Sequence, residues 1–286
     1  MVAMHLAERF GAIIVSADAR QVYRDFDVGT AKPTLEEQAR VQHEGIDLVP
    51  PTVRYSAAAW SDAAAGWIGA AWANGRAAVV AGGTGLYLRA LFEPFFEEPP
   101  IDPARRRALE PLLGTLSRGE LQRWCAALDP SRAWLGRTQL LRSVEVALLT
   151  GRRLSDLHAE RRRPPRYRAR YLLVDPGEDL HERIRGRAAW MLGDGGWVEE
   201  VERLRQSVPV DAPAWNASGY EVVRELVEGR ISREAALQAI VIETRQYAKR
   251  QRTWFRHQLP PEAVTTLDPT STGWEAAADR WWREDT

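Results

Sequence analysis

The sequence predicts an α/β protein: a three-layer fold in which helices cover a parallel sheet, with a helical domain inserted into it. Three short runs are apolar and rich in aliphatic side chains, and each ends in a polar turn: residues 11–15 (GAIIV), 77–81 (AAVVA) and 170–174 (RYLLV). Helical patterns separate the three runs, which favours parallel pairing. Ligands bind such sheets beyond the carboxyl ends of the strands, so Asp18, Thr84 and Asp175 fall on the functional edge.

The composition is typical of a globular protein that is neither disordered nor embedded in a membrane. Of 286 residues, 45% are hydrophobic and 27% are charged, and no apolar run approaches the roughly 18 residues of a membrane span. The first residues lack the order of a signal peptide, so we expect a cytoplasmic protein without a membrane partner. The single cysteine, Cys125, excludes an internal disulfide, and the five histidines lack metal-ligand spacing.

The first strand runs into the segment SADARQVYR, which contains Asp18, Gln21 and Tyr23. A carboxylate at the end of a buried strand can accept a proton, while a neighbouring amide and an aromatic ring hold a planar base. An aspartate at this position is also a common turn former. Gly29 and Thr30 in the following DVGTAKPT segment are also common turn residues. The pattern alone therefore leaves both a catalytic site and an ordinary turn open.

The second strand ends in Gly82-Gly83-Thr84-Gly85 and continues into the helical pattern LYLRALF. Backbone amides and a hydroxyl at the beginning of a helix suit a phosphate group. Glycine-rich loops also occur where a chain only turns tightly, and the sequence does not separate these two explanations.

Consecutive helical patterns without a strand-like run occupy the middle of the chain, between Pro99-Pro100 and Pro164-Pro165. We therefore predict three parts: a first core segment at 1–99, an inserted helical domain at 100–165, and a second core segment with carboxyl-terminal helices at 166–286. Although the net charge is zero, residues 101–170 contain sixteen arginines against seven acidic residues. This excess suits a polyanion, but arginines spread over solvated helix faces would give the same count.

Two later segments combine cations with an amphipathic pattern. In LHERIRGRAAWML, Arg183 and Arg187 lie four residues apart and so share one helix face, where they either hold an anion or form surface ion pairs. In ETRQYAKRQRTWFRH, basic side chains alternate with aromatic ones. Such a helix binds phosphates and stacks bases, or simply packs its aromatic face into a core.

Five stretches, taken together and in order, closely resemble tRNA dimethylallyltransferases. The family's Asp-Ser-x-Gln-x-Tyr, Asp-Ile-Gly-Thr-Ala-Lys-Pro and Gly-Gly-Thr-Gly-Leu-Tyr motifs are similar to Asp18–Tyr23, Asp27–Pro33 and Gly82–Tyr87. Its Gln-x-x-x-Arg-Ala-x-Glu-Val helix is similar to Thr138–Val146, and its Thr-Arg-Gln-x-Ala-Lys-Arg-Gln-x-Thr-Trp helix to Thr244–Trp254. The resemblance covers nearly the whole chain and implies a P-loop-NTPase-like fold.

The resemblance implies that the protein transfers a dimethylallyl group from dimethylallyl diphosphate to N6 of the adenosine 3′-adjacent to the anticodon of tRNA. It implies that Asp18 is the catalytic base and that Arg187, with Arg183, holds the diphosphate. Mg²⁺ is the implied cofactor, and we expect a monomer. The residues implied to contact tRNA are Asp18, Ala19, Arg20, Gln21, Thr84, Arg106, Thr138, Gln139, Leu140, Leu141, Arg142, Arg245, Lys249 and Arg250.

Two departures from the family pattern affect these expectations. Ala19 replaces the usual serine, which removes one hydroxyl contact. Family members also begin with a strand and a Gly-x-x-x-x-Gly-Lys-[Ser/Thr] loop that are absent from this chain, so we expect an incomplete donor site. The alternatives are a tRNA-binding protein with impaired catalysis, for example a truncated gene product, and a nucleotide kinase of similar fold. The kinase would not explain the basic insert.

Overall fold

The structure, a computed structural model, describes residues 1–93, 101–160 and 166–284. The chain divides into two units: a core unit formed by Met1–Phe92 and Tyr167–Thr286, and an insert formed by Glu93–Arg166. The proline pairs at which we place the domain boundaries, 99–100 and 164–165, lie outside the described residues.

The core unit contains parallel strands, which confirms the predicted α/β class. In one sheet β1 lies between β2 and β3, and Ile13 pairs with Ala78 while Ser16 pairs with Ala81. The third predicted strand, β4, pairs with β5 in a second parallel sheet rather than with β1 or β3. The strands are β1 (Ile13–Ser16), β2 (His43–Glu44), β3 (Ala78–Ala81), β4 (Tyr171–Val174) and β5 (Val264–Leu267).

Helices surround these strands, and several begin at the residues that capping chemistry favours. Ser56 caps α3 by accepting a hydrogen bond from the Ala59 amide at 3.1 Å, and Ser232 caps α12 through the Ala235 amide at 3.2 Å. The core-unit helices are α1 (Val2–Phe10), α2 (Leu35–Arg40), α3 (Ala57–Ala73), α4 (Gly85–Phe92), α9 (Leu180–Leu192), α10 (Trp197–Ser207), α11 (Tyr220–Val227), α12 (Arg233–Gln258) and α13 (Trp274–Arg283).

Apolar packing joins the two sheets of the core unit. Val2 and Leu6 of α1 are buried together with Leu267 of β5, and this cluster contacts Val79 of β3 and Leu172 of β4. Each fully buried aliphatic side chain contributes about 1.5–3 kcal/mol. The apolar run RYLLV thus predicts the strand β4 correctly. It does not predict the strand with which β4 pairs, because that depends on how helices distant in sequence pack together.

The insert is helical throughout its described part, as the sequence predicts. Its helices are α5 (Pro103–Thr115), α6 (Arg118–Leu128), α7 (Arg137–Thr150) and α8 (Leu154–Glu160). They enclose an apolar cluster of Leu113, Leu121, Cys125, Leu140 and Val144. Burial in this cluster raises the pKa of the Cys125 thiol, so Cys125 is a core residue. No helix in the described part of the chain combines the length and apolarity needed to cross a membrane.

Candidate active site

A cleft of about 710 Å³ opens in the core unit between the segment that follows β1 and the helices α9 and α12. Its charged lining residues are Asp18, Arg20, Arg187, Glu243 and Arg250. Its larger apolar lining side chains are Leu180, Ile184, Met191, Trp197 and Ile240. The cleft therefore combines carboxylates, cations and an apolar surface, which suits a ligand with a charged end and a hydrocarbon end.

Asp18 lies at the carboxyl end of β1, where the preceding residue is fully buried. Its Oδ1 accepts a hydrogen bond from the Arg20 amide at 2.8 Å. Burial raises the pKa of the Asp18 carboxyl; the Arg20 and Gln21 amides and the charges of Arg20 and Arg187 oppose that rise. A carboxylate with a raised pKa is a stronger proton acceptor than an ordinary aspartate, which suits the role of a general base.

Gln21 holds the DVGT segment against the end of β1. Its Nε2 donates to the carbonyls of Thr30 and Ala31 at 3.2 and 3.0 Å, and its Oε1 accepts from the Ser16 hydroxyl at 2.7 Å. Both ends of the amide are thus bonded to the protein itself. The tRNA contact predicted for Gln21 stays a prediction, and the structure shows a positioning role in addition.

A buried carboxylate that the sequence analysis missed fixes the same segment. Glu200 of α10 is 2% exposed, and its Oε2 accepts from the amides of Asp27 and Val28 at 2.9 and 2.8 Å. Its Oε1 accepts from the Tyr220 hydroxyl at 2.6 Å, and burial together with this contact raises the pKa of Tyr220. The sequence did contain a signal of its burial: Glu200 lies three residues after Trp197, on the same helix face as the apolar side chains of α10.

Lys32 completes the anchoring of the DVGTAKPT segment. Its side chain is only 4% exposed, and its Nζ reaches the Asp27 and Asp47 carboxylates at 2.6 and 2.5 Å. It also donates to the Tyr23 carbonyl at 2.6 Å. Glu200 and Lys32 therefore hold Gly29, Thr30 and Ala31 of the cleft wall in place from opposite ends of the segment.

The Gly82–Gly85 loop is explained by close packing. A Cβ on Gly82 would lie 2.4 Å from the Ala17 carbonyl oxygen, and one on Gly85 would lie 2.4 Å from the Trp254 ring of α12. Thr84 donates its amide to the Ala17 carbonyl at 3.1 Å, while its Oγ1 accepts from the Ala19 amide at 3.0 Å. Of the two explanations left open by the sequence, these contacts support the tight turn.

Of the two α9 arginines predicted to hold the diphosphate, only Arg187 belongs to the described cleft wall, and Arg183 also lies near the Asp268 carboxylate. Arg187 lines the cleft, and its pKa is lowered first by burial and then by the positive charge of Arg183, with Asp18 opposing the shift. Two cations that repel each other beside a cleft gain free energy when an anion binds between them. The pair is thus suited to a phosphate or diphosphate.

Helix α12 lines the cleft with both polar and apolar side chains. Tyr247 lies against Asp18, whose charge adds to burial in raising the Tyr247 pKa, while hydrogen bonds with Thr84 and Gln251 oppose the shift. The Arg250 guanidinium stands 5.8 Å from the centroid of the Tyr247 ring. Arg245 and Lys249 are exposed on the same helix and are not part of the cleft wall.

In the insert, the predicted tRNA-binding residues separate into different environments. The Nε of Arg106 donates to Glu145 at 2.8 Å, and Arg142 contacts the other oxygen of this buried carboxylate. Thr138 and Gln139 are exposed at the beginning of α7.

The tRNA contact predicted for the Leu140 side chain is wrong. Its side chain is fully buried in the apolar cluster of the insert, so it serves the core and cannot contact tRNA. Leu141 is half-buried and packs against the same cluster. The resemblance to the motif assigned tRNA contacts to both leucines together with their polar neighbours. Successive side chains of a helix point in different directions, so not all of them can face the same ligand.

The described residues contain no group of three or more histidine, cysteine, aspartate or glutamate side chains placed to hold a metal ion. In the cleft wall the carboxylates are Asp18 and Glu243, and Glu243 already accepts from the Gly219 amide at 2.9 Å. The side chains described here do not form a dedicated Mg²⁺ site.

Comparison with known proteins identifies the family of the chain. The IPP transferase family model matches residues 21–258. A tRNA dimethylallyltransferase of Thermomicrobium roseum is 40% identical over 95% of this chain and 83% of its own length, and one of Gloeobacter violaceus is 42% identical over 88% and 83%. The solved tRNA isopentenylpyrophosphate transferase of Staphylococcus epidermidis covers 98% of this chain and 92% of its own, with 28% identity and a TM-score of 0.67.

Proposed function

Because the chain belongs to the IPP transferase family, we propose that it transfers a dimethylallyl group from dimethylallyl diphosphate to N6 of adenosine 37, the residue 3′-adjacent to the anticodon of tRNA. The observation that carries the proposal is the cleft, which the Asp18 carboxylate lines together with Arg20, Arg187 and several apolar side chains.

Asp18 accepts the proton of the adenine amine in the proposed reaction. The lone pair of that amine is delocalised into the ring, so the amine is a weak nucleophile until its proton is removed. As the bond between N6 and the first carbon of the dimethylallyl group forms, the bond from that carbon to the diphosphate oxygen breaks. The electron pair leaves with the diphosphate, and the proton goes to Asp18, whose raised pKa suits this role.

The cations and the apolar wall divide the binding of the donor between them. Arg187, supported by Arg183, compensates the charge of the leaving diphosphate. Ile184 and Met191 are buried on the same helix and offer an apolar surface to the hydrocarbon tail. Excluding water from this surface protects the allylic group from hydrolysis during the transfer.

Binding of tRNA draws on exposed cations in both units. Arg245, Lys249 and Arg250 present positive charge along α12, which suits phosphates next to the target base. The base itself must leave the anticodon stack to reach Asp18. Arg106 is held by Glu145 through its Nε but its side chain is 42% exposed, so we propose that it contacts RNA with the exposed part of its guanidinium. Arg142 is more enclosed, and its tRNA contact stays a prediction.

The remaining features belong to the same proposal. Mg²⁺ would be held mainly by phosphate oxygens of the donor and by water, since this ion commonly binds through few protein carboxylates. We propose that the protein acts as a monomer in the cytoplasm, where its substrate tRNA is found.

The test incubates the protein with dimethylallyl diphosphate and two tRNAs that differ only in having adenosine or guanosine at position 37. We expect prenylation of the adenosine tRNA alone, detected by mass spectrometry of the digested nucleosides. Binding of both tRNAs without any transfer would favour a tRNA-binding protein over an enzyme. Phosphoryl transfer from ATP to a nucleotide, without prenylation, would favour a kinase.

A further inference from the structure

Trp134 is an exposed aromatic side chain of the insert that no step of the proposed reaction uses. It is 76% exposed, although an indole of this size normally buries most of its surface in a folded domain. Its Nε1 donates to the Ser131 carbonyl at 2.9 Å, which fixes the plane of the ring. Within the described part of the insert the ring stacks on no other aromatic side chain.

The loop that carries Trp134 is held rigidly. Asp129 is fully buried, and its carboxylate accepts from the Ser131 hydroxyl at 2.9 Å and from the Ser155 amide and hydroxyl at 2.9 and 2.7 Å. On the other side, the Arg137 guanidinium donates to two backbone carbonyls at the end of α5, at 3.0 Å each. A ring fixed in this way loses little conformational entropy when a flat ligand stacks on it.

Two arginines flank the ring in sequence: Arg132, which is half-buried, and Arg137, which is exposed. The residues that follow the loop, from Gly136 to Gln139, are exposed and lead into the first turn of α7. The described part of the insert, residues 101–160, contains ten arginines and seven acidic residues. A protein-binding site would surround an exposed tryptophan with further apolar surface, whereas a nucleobase, with phosphates on either side, fits a single ring among cations and hydrogen-bond donors.

We propose that Trp134 is a stacking platform for an unpaired nucleobase of the bound RNA, a role that rests on the proposed function. Stacking needs a flat, fixed and exposed ring, and it tolerates any base because each has a π face. Arg137, which is exposed three residues further along the chain, holds a phosphate of the same strand. The platform therefore adds affinity that depends on the presence of a base and does not depend on salt.

The first experiment measures the affinity of the full chain for an RNA stem–loop with the sequence of a tRNA anticodon arm, at several salt concentrations. Trp134→Ala should weaken binding about 5- to 150-fold without changing the salt dependence, since no phosphate contact is lost. Trp134→Phe should retain most of the affinity. Trp124→Ala is the matched control, because Trp124 is also exposed, at 41%, on α6 of the same unit.

The second experiment uses stem–loops that each lack the base at one loop position. The effect of Trp134→Ala should vanish for the stem–loop that lacks the stacked base and persist for the others. Unchanged affinity of Trp134→Ala, an equal loss in Trp124→Ala, or a loss that persists with every abasic stem–loop would overturn the inference. A change in oligomeric state of Trp134→Ala in sedimentation would also overturn it, because the ring would then contact protein.

The outcome is separable from that of the proposed function. RNA binding that depends on Trp134 without prenyl transfer would contradict the enzyme and leave the platform standing. Prenyl transfer with binding indifferent to Trp134 would contradict the platform alone.

Discussion

The core unit and the insert use residues of equally recognisable motifs in different ways. In the core unit, Asp18 and Arg187 meet in one cleft, and buried groups such as Glu200 and Lys32 hold the wall of that cleft in place. In the insert, Arg142 of the motif and Arg106 share one buried glutamate, and the leucine between the polar positions of the motif belongs to the core. The motifs of the core unit thus contribute residues to one cleft, while the insert motif combines structural and exposed residues.

The largest expected effect separates the structural from the exposed positions of the insert motif. Leu140→Ala should lower the free energy of unfolding by about 2–5 kcal/mol, because it leaves a cavity in a fully buried cluster. Thr138→Ala, at an exposed position two residues earlier, should change it by less than about 0.5 kcal/mol. Denaturant titration measures both values. If Leu140→Ala unfolds like the unaltered protein and loses only tRNA affinity, Leu140 is not a core residue and the prediction is wrong.

Asp18→Asn tests the corresponding claim for the core unit. Turnover should fall on the order of 100-fold or more relative to the unaltered protein, while tRNA affinity stays nearly constant, because the amide retains the shape but cannot accept the proton. Single-turnover kinetics and an RNA-binding titration measure the two quantities. Asp211→Asn, on an exposed loop, is the control. Near-normal turnover in Asp18→Asn would remove the base assignment.

The pH dependence follows from the direction of the same pKa shift. Burial raises the Asp18 pKa, so the base becomes protonated at a higher pH than an exposed aspartate would. The acid limb of kcat/KM should therefore lie above about pH 3.9, the usual aspartate value. A folded-state pKa above the unfolded value also means that ionised Asp18 destabilises the fold at neutral pH. Asp18→Asn should accordingly melt at an equal or higher temperature, and a clearly lower Tm would contradict this reasoning.

A smaller effect is expected where the core unit uses a carboxylate structurally. Glu200→Ala should cost about 1–3 kcal/mol of unfolding free energy, because it leaves the part-buried amides of Asp27 and Val28 and the buried Tyr220 hydroxyl without an acceptor. Turnover should fall with it, since these amides belong to the segment that forms part of the cleft wall. Glu199→Ala removes the exposed neighbour on the same helix and should change neither quantity. Equal effects of the two substitutions would rule out the anchoring role.

The smallest effect concerns a single phosphate contact. Arg250→Ala should weaken tRNA binding and reduce the slope of log affinity against log salt by about one, as expected for one lost phosphate contact. Arg230→Ala provides a control, because Arg230 lies on the surface between α11 and α12 and contacts Glu228. An unchanged slope in Arg250→Ala would place the phosphates elsewhere.

The sequence predicts those elements whose signal is local. β1 is recognisable because its apolar residues are contiguous and end at a turn, and the insert is recognisable as helical from its pattern between proline pairs. β5 was missed because its sequence, VTTL, is short and its two threonines are exposed. The partner of β4 was missed as well, since it depends on packing between helices that are distant in sequence.

The candidate site shows the same limit. The resemblance brings forward Asp18 and Arg187, which line the cleft, but not Glu200, because a buried acid looks like any other acid in the one-letter code. The fully buried Leu140 was assigned to RNA for the opposite reason: matching a motif assigns roles to a run of residues, whereas a helix exposes only some of them.

The burial of Lys32 has a practical consequence for labelling the protein. The sequence contains two lysines, and Lys32 is enclosed by Asp27 and Asp47 with its side chain only 4% exposed, whereas Lys249 is exposed on α12. Amine-reactive dyes should therefore modify Lys249 in preference to Lys32 among the side chains. Cys125 is buried and would not compete for a thiol-reactive dye placed elsewhere. A fluorophore carried by a lysine side chain should thus report on the cationic helix and not on the DVGTAKPT segment.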